Sequence, residues 1–334
     1  MTKVASAVRM ETMLALVKRL MVQSFLAIVL VLTYVGFGLA EPQFHSFANL
    51  VNILKQSSYL VMLATAQMMV LITRGFDLSV GTVIGMISVA ISLVMVAVLK
   101  GNPDAIAFAI LLGCLVGLGI GFAVGAINGF VVAVLRVNPF VTTLGMMGIA
   151  LGFASTLSGG FPVFDVPETL MDVLSRGSWI GVPVPIAVCT IVLAGTYVLL
   201  NRTVLGRSLY LLGSSERAAH VAGLPTRLHL ACAYIVCSLI VAVVAIMLTA
   251  RTGTGEPRLG IVLMFESLMA AIIGGVSLGG GEGRILHCIV GGLFVTILGN
   301  GMNLVRVDSN IQMIVLGIAL IGAIFVDRFR TRIR

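Results

Sequence analysis

The residues of this chain that are best suited to contact a polar solute are neutral and lie inside apolar runs. They are Gln67, Asn128, Thr142, Asn300 and Asn303. Amide and hydroxyl groups both donate and accept hydrogen bonds, so they suit an uncharged, hydroxyl-rich solute. The same groups also form hydrogen bonds between neighbouring helices, so both interpretations stay open for each residue.

Residue types used in catalysis and metal binding are few and scattered. The four histidines fall in predicted loops or at helix ends, and none belongs to an H-E-x-x-H or Ser-His-Asp arrangement. The five cysteines have no C-x-x-C spacing, which argues against a zinc site or a disulfide framework. The chain also lacks the G-x-x-x-x-G-K-[ST] phosphate loop. The sequence therefore predicts no catalytic residue, no metal site and no cofactor on this chain.

A polar stretch at residues 201–229 separates two strongly apolar halves, and its centre predicts a short helix. Residues 214–223 begin with two serines that suit an N-cap, carry Glu216 in the first turn and end at Gly223. The alanines between them leave one side of the helix shallow, so another protein could hold it in a groove. A solvated loop is the alternative.

The elements that must position these residues are membrane helices. Hydrophobic residues make up 59% of the 334 residues and charged residues 10%, against roughly a quarter charged in soluble domains. This composition predicts an all-α polytopic membrane protein. About ten runs have the length of a membrane span. They are residues 21–40, 53–73, 78–99, 106–128, 139–158, 184–201, 228–249, 263–280, 285–304 and 310–327.

The run at residues 263–280 is the weakest of the ten. It is rich in glycine and carries Glu266 near its start. A broken or re-entrant helix is therefore the alternative to a full span there.

The distribution of positive charge predicts the orientation of these spans. With ten spans and the N-terminus inside, fifteen Lys and Arg residues lie inside and six outside. This bias follows the positive-inside rule, so we expect both termini to be cytoplasmic. The net charge of +8 is then explained by short loops and tails, which argues against nucleic-acid binding. The predicted regions are an N-terminal tail (1–20), one transmembrane domain (21–327) with a cytoplasmic loop at 202–227, and a basic C-terminal tail (328–334).

Two further pairs of segments leave alternatives open. The turns at residues 74–81 and 274–284 look alike, which indicates either two tight helical hairpins or two related halves. Residues 158–183 and 251–260 are predicted on the outer side. They are either ordinary loops or a docking surface for a soluble partner.

Three motifs, in this order, resemble the permease subunits of ribose-type sugar ABC importers. They are GFDLSVG (75–81), GRSLYLLGSSERAAHVAGL (206–224) and GGVSLGGGEG (274–283). The ending at residues 299–327 is also similar to the last two spans of that family, whereas the first 50 residues are the least similar. The chain departs from the family pattern at Phe76 and Arg217.

This resemblance implies a function and a set of partners. The chain would be the pore-forming subunit of an importer that moves a monosaccharide or similar polyol across the bacterial inner membrane by alternating access. Its partners would be a second permease chain (identical or a sister), membrane lipid, a periplasmic sugar-binding protein and a cytoplasmic ABC ATPase that holds ATP and Mg²⁺. The resemblance assigns ATPase coupling to one set of residues, namely Gly213, Glu216, Ala218, Ala219 and Gly223.

The sequence argues against two other classes of function. A stand-alone secondary transporter of a neutral polar solute would usually bury ionisable groups in its spans, and only Glu266 is a candidate here. A membrane-embedded enzyme would need a catalytic cluster, which the sequence does not show.

Overall fold

The computed structural model describes residue 26 and residues 28–332, and most of this part of the chain is helical. The first helices are α1 (Ile28–Ala40), α2 (Phe47–Leu71), α3 (Val80–Gly101), α4 (Ile106–Ala133), α5 (Pro139–Ser158) and α6 (Glu168–Met171). They are followed by α7 (Val184–Arg202), α8 (Val204–Ser214), α9 (Glu216–Val221), α10 (Thr226–Thr252), α11 (Ile261–Gly274), α12 (Ile285–Leu304) and α13 (Ser309–Arg332). The remaining elements are a 3-10 helix (Pro42–His45), a π-helix (Asp172–Arg176) and an antiparallel pair of short strands, β1 (Ser178–Trp179) and β2 (Val182–Pro183).

The lengths and compositions of these helices confirm an all-α polytopic membrane protein. Within the described residues, six helices are long and apolar enough to cross a membrane: α3, α4, α5, α7, α10 and α12. Three shorter apolar segments, Ile28–Ala40, Ile261–Gly274 and Ser309–Gly322, accompany them. Nine of the ten predicted runs coincide with a helix over nearly all of their described residues, and the run at 263–280 does so only as far as Gly274. The number of crossings and the side of each terminus stay predictions. The predicted N-terminal tail (1–20) lies outside the described residues, whereas residues 328–332 of the predicted C-terminal tail form the end of α13.

Helix α2 is the centre of the bundle although it is not one of those six. Its residues from Ser57 to Leu71 are all buried, and α7, α10, α11 and α12 pack around it. Because protein rather than lipid surrounds this helix, it tolerates polar residues such as Gln56 and Gln67 that lower its hydropathy.

Helix α11 is a short helix that begins deep inside the bundle. The preceding residues 253–260 run along α3, where Gly255 lies beside Ser92 and Gly260 beside Gly81. A side chain on Gly81 would come within 2.5 Å of the Gly260 carbonyl oxygen, so only glycine permits this approach. With 14 residues α11 is about 21 Å long, short of the roughly 30 Å of a hydrocarbon core.

This geometry corrects the predicted run at residues 263–280. The helix ends at Gly274 because Gly275 adopts a φ of +113°, and residues 275–280 lie in the following turn. Of the two alternatives for this run, the structure shows the interrupted helix.

Candidate functional site

The polar stretch at the centre of the chain folds into two helices, α8 and α9. Helix α9 is the short helix that the sequence predicts: the Ala218 backbone N–H donates to the Ser215 hydroxyl at 3.2 Å, and Glu216 stands in the first turn. Gly223 ends it with a φ of +73°. Helix α8 was not predicted, although leucines at positions 205, 209 and 212 have the spacing of a buried helical stripe.

The five predicted coupling residues fall into two groups. Glu216, Ala218 and Gly223 are exposed, whereas Gly213 and Ala219 are buried against the body of the protein. One group is therefore available to a partner, and the other fixes the two helices to the bundle.

Gly213 lies where three distant parts of the sequence meet. The Gly281 backbone N–H donates to the Ile72 carbonyl oxygen at 2.8 Å, and Gly213 packs directly on both groups. A methyl group at Gly213 would overlap the Ile72 oxygen, so no larger residue fits without a backbone shift. One turn earlier in α8, the Tyr210 hydroxyl donates to the Gly283 carbonyl oxygen at 2.8 Å.

Arg74 holds the C-terminal end of α8 from the other side. Its Nε donates to the Gly213 carbonyl oxygen at 2.5 Å, and its Nη2 donates to the Ser214 carbonyl oxygen at 2.8 Å. These are last-turn carbonyls, which have no partner inside a helix and carry its negative partial charge. We refer to the contacts of Ile72, Arg74, Tyr210, Gly213 and residues 280–283 as the inner junction. The two turns that look alike in sequence both belong to it.

A buried polar cluster lies behind the inner junction. The Asp77 side chain, 2% exposed, accepts hydrogen bonds from the Ser79 backbone N–H at 2.9 Å and from the Ser79 hydroxyl at 2.5 Å. Asn128 Nδ2 donates to the Ser79 hydroxyl at 3.2 Å, and Gln67 Nε2 donates to the Asp77 carbonyl oxygen at 2.9 Å. Burial raises the pKa of the Asp77 carboxyl above its usual value, and the Ser79 hydrogen bonds oppose that shift.

This cluster gives Gln67 and Asn128 a role in joining the α2–α3 turn to α4. Sequence reasoning missed Asp77, because it treated that residue as part of a turn at the end of a span. The signal was the Asp-Leu-Ser sequence before α3, since an Asp two residues ahead of a Ser can accept its backbone N–H.

The other predicted path residues lie in two separate places. The Thr142 hydroxyl on α5 donates to the Asn138 carbonyl oxygen at 3.1 Å, within its own helix. Asn300 and Asn303 line a cavity of about 160 Å³ near the end of α10 that carries Arg251. The structure therefore does not gather the five residues into one site, and their contact with a solute stays a prediction.

The two predicted outer segments contact each other. The backbone groups of Val163 and Gly255 exchange two hydrogen bonds of 2.8 Å. The same end of the molecule holds the cavity with Asn300 and Asn303.

Comparison with known proteins places this architecture in a family. Residues 49–324 match the family described as the permease component of the branched-chain amino acid transport system. The chain belongs to this permease family. The chain is therefore a multi-pass membrane protein of a transport system, and this membership favours a transporter over an enzyme.

Several members of the family are similar to nearly the whole chain. The ribose import permease RbsC of Escherichia coli K12 is 34% identical over 311 residues, or 92% of this chain and 94% of RbsC. The D-allose transport permease AlsC of the same strain is 31% identical over 293 residues, or 87% of each chain. Its L-arabinose transport permease AraH is 30% identical over 305 residues, covering 91% of this chain and 90% of AraH. No solved structure matches the chain.

Proposed function

We propose that this permease is the pore-forming subunit of an ATP-driven, binding-protein-dependent importer for a monosaccharide or similar polyol. The observation that carries the proposal is the clamped α8–α9 element, which joins an exposed surface to the centre of the bundle. The relatives that match nearly the whole chain are named for ribose, allose and arabinose. They support a sugar as the transported solute, rather than the amino acids in the family description.

We propose ten spans in the bacterial inner membrane, with both termini and α8–α9 in the cytoplasm. Arg202, Arg207, Arg217 and Arg227 are all exposed around α8 and α9, which suits a cytoplasmic surface. A reporter fused after Arg334 is expected to report a cytoplasmic location. A periplasmic signal would contradict the ten-span count.

Helix α9 is proposed to fit a groove of the ATPase subunit, where ATP and Mg²⁺ bind. Val221 supports this assignment, because a valine that is 81% exposed on a charged helix gains from being covered by a partner. Closure of the ATPases would pull on α9, and Arg74 and Gly213 would carry the displacement into the α2–α3 and α11–α12 turns. The bundle would then alternate between outward-open and inward-open states.

The remaining partners follow from this role. A second permease chain, identical or a sister, would complete the pore, and a periplasmic sugar-binding protein would deliver the solute to the end that carries the paired segments at Val163 and Gly255. Lipid would cover the outward apolar side chains of α4 and α5, which are exposed in the single chain.

The test compares uptake with ATP hydrolysis in the complete complex reconstituted in lipid vesicles. Glu216→Ala and Gly223→Val are expected to lower sugar uptake per ATP hydrolysed by about tenfold, equivalent to 1.4 kcal/mol, while the chain still inserts. The control is Asp104→Ala, in the exposed loop between α3 and α4. Unchanged coupling in both α9 variants would contradict the assignment of this helix.

A further inference from the structure

The cavity next to Asn300 offers a set of polar groups that the proposed transport role does not assign. It lies between α2, α10, α11, α12 and α13 and has a volume of about 160 Å³. Its polar lining comprises Gln56, Tyr59, Arg251, Glu266, Thr296, Asn300, Asn303 and Gln312. A second space of about 300 Å³, here called the mouth, shares Gln56, Tyr59 and Arg251 with it and is also lined by Lys55 and Arg176.

Backbone contacts fix the orientation of the Asn300 amide. The Asn49 amide NH₂ donates to the Phe44 carbonyl oxygen at 2.9 Å, and the same NH₂ donates to Asn300 Oδ1 at 3.0 Å. Because a backbone carbonyl can only accept, Asn49 must present its nitrogen there, and Asn300 must present its oxygen to Asn49. The NH₂ group of Asn300 has no partner among the described residues.

The Asn303 amide is oriented in the same way. Gln312 Nε2 donates to the Val307 carbonyl oxygen and to Asn303 Oδ1, both at 2.9 Å. Asn303 therefore also keeps its NH₂ group for another acceptor. The cavity thus presents two amide donors whose own carbonyl oxygens are already occupied.

Glu266 supplies the complementary acceptor. It lies on the interrupted helix α11 and has no hydrogen-bond or ion-pair partner among the described side chains. A carboxylate accepts up to about four hydrogen bonds, and each hydroxyl of a polyol needs an acceptor as well as a donor. Amide donors and a carboxylate that line one cavity can satisfy adjacent hydroxyl groups of such a ligand.

The charges of the lining favour an uncharged ligand. Arg251 lies 5.6 Å above the ring centroid of Tyr59, so a cation–π contact holds the guanidinium at the boundary between the cavity and its mouth. The cavity itself is lined by one basic and one acidic side chain, Arg251 and Glu266, so an anion would meet the acidic group and a cation the basic one. A neutral polyol meets no such repulsion.

We propose that Glu266, Asn300 and Asn303 form a recognition site for a neutral monosaccharide on the permease itself, with Glu266 as the residue that sets specificity. This inference rests on the proposed transport function and adds that the membrane subunit selects its solute as well as passing it. The Tyr59–Arg251 pair marks the end from which the solute approaches.

The first experiment is protection from labelling in the reconstituted complex. Asn303→Cys is treated with a membrane-impermeant maleimide in the presence of D-ribose, D-allose, L-arabinose or D-ribose 5-phosphate. We expect at least one neutral sugar to slow the labelling by about tenfold, a change equivalent to 1.4 kcal/mol. The matched control is Asn310→Cys, an exposed asparagine on α13 outside the cavity, and the natural chain gives the background of its five cysteines.

The second experiment measures specificity through uptake. Glu266→Gln is expected to lower the uptake of the protecting sugar by about tenfold and to change its ratio to the other sugars, whereas Asp104→Asn leaves both unchanged. Protection by the phosphate ester alone would overturn the neutral class. Absent protection together with an unchanged uptake ratio would overturn the site. If the natural chain shows no ATP-dependent uptake of any sugar but a neutral sugar still protects Asn303→Cys, the proposed transport function fails and the site stands.

Discussion

The inner junction and the cavity lined by Glu266, Asn300 and Asn303, here called the outer cavity, are built in opposite ways. At the inner junction glycine backbones touch, Arg74 and Tyr210 bond directly to carbonyl oxygens, and there is no room for a methyl group on Gly213. At the outer cavity about 160 Å³ is open, and Glu266 lacks a partner among the described side chains. A close-packed contact has low compressibility and therefore transmits strain. Unpaired polar groups around an open space, in contrast, can form hydrogen bonds with a ligand. The difference supports both proposals, force transmission at the inner junction and recognition at the cavity.

The largest expected effect on stability comes from replacing glycine by alanine, and it should differ between the inner junction and the cavity. Gly213→Ala should lower the free energy of unfolding by about 1–3 kcal/mol, because the new methyl group overlaps the Ile72 carbonyl oxygen. Gly299→Ala, in the cavity lining, should leave stability unchanged or raise it, since nothing lies within 4 Å of the added carbon. Thermal unfolding of the purified chain in detergent measures both. Equal losses would contradict the contrast in packing.

Arg74 provides the next test of the inner junction. Arg74→Ala removes two charge-assisted hydrogen bonds to the end of α8, which solvent weakens because Arg74 is exposed, and should reduce uptake per ATP hydrolysed. Arg136 is the matched control, because it also has a positive φ (+56°) in a short turn but is exposed and forms no hydrogen bond with the described residues. An equally large loss of coupling in Arg136→Ala would show that the Arg74 hydrogen bonds have no specific role in coupling.

Two acidic residues extend the comparison to electrostatics. Asp77→Asn should lower the free energy of unfolding by about 1–2 kcal/mol, because a buried carboxyl group that receives two hydrogen bonds loses part of its accepting capacity. Glu266→Gln should cause no such loss, since its carboxylate has no partner among the described residues. Chemical unfolding of each variant, with Asp104→Asn as the exposed reference, distinguishes them. A larger loss for Glu266→Gln would mean that its carboxylate is structural.

The smallest expected effect concerns α9 alone. Ser215→Ala removes the N-cap of this helix and should cost about 1 kcal/mol of local stability. Faster amide hydrogen exchange in residues 216–221, with unchanged exchange in α8, would show it. Equal exchange in α9 before and after the substitution would indicate that the partner surface does not depend on the cap.

The features that could be predicted from the sequence are those with local causes. Long apolar runs predict helices wherever they occur, and Ser215, Glu216 and Gly223 predict α9 because capping depends on neighbouring residues only. Helix α2 shows the limit of hydropathy: it is the most enclosed helix, yet Gln56 and Gln67 make it less apolar than helices at the lipid surface.

The features that could not be predicted depend on contacts between distant segments. Nothing in the residues around Arg74 indicates that its side chain binds the end of α8, about 140 positions later. Likewise, Gln67 and Asn303 have similar chemistry in similar runs, but one joins a buried turn and the other lines a cavity. Only the tertiary arrangement separates a hydrogen bond within the bundle from one that is offered to a solute.

The most direct test of the coupling role asks which part of the chain touches the ATPase. Val221→Cys, in the complete membrane complex, is treated with a reagent that joins a thiol to a nearby lysine. We expect a cross-linked product with the combined mass of permease and ATPase. The same treatment of Ile180→Cys, an even more exposed position in the β1–β2 turn, should give none. A complex that still transports sugar but gives no such product with Val221→Cys, or gives it with Ile180→Cys, would contradict the assignment of α8–α9 as the coupling element.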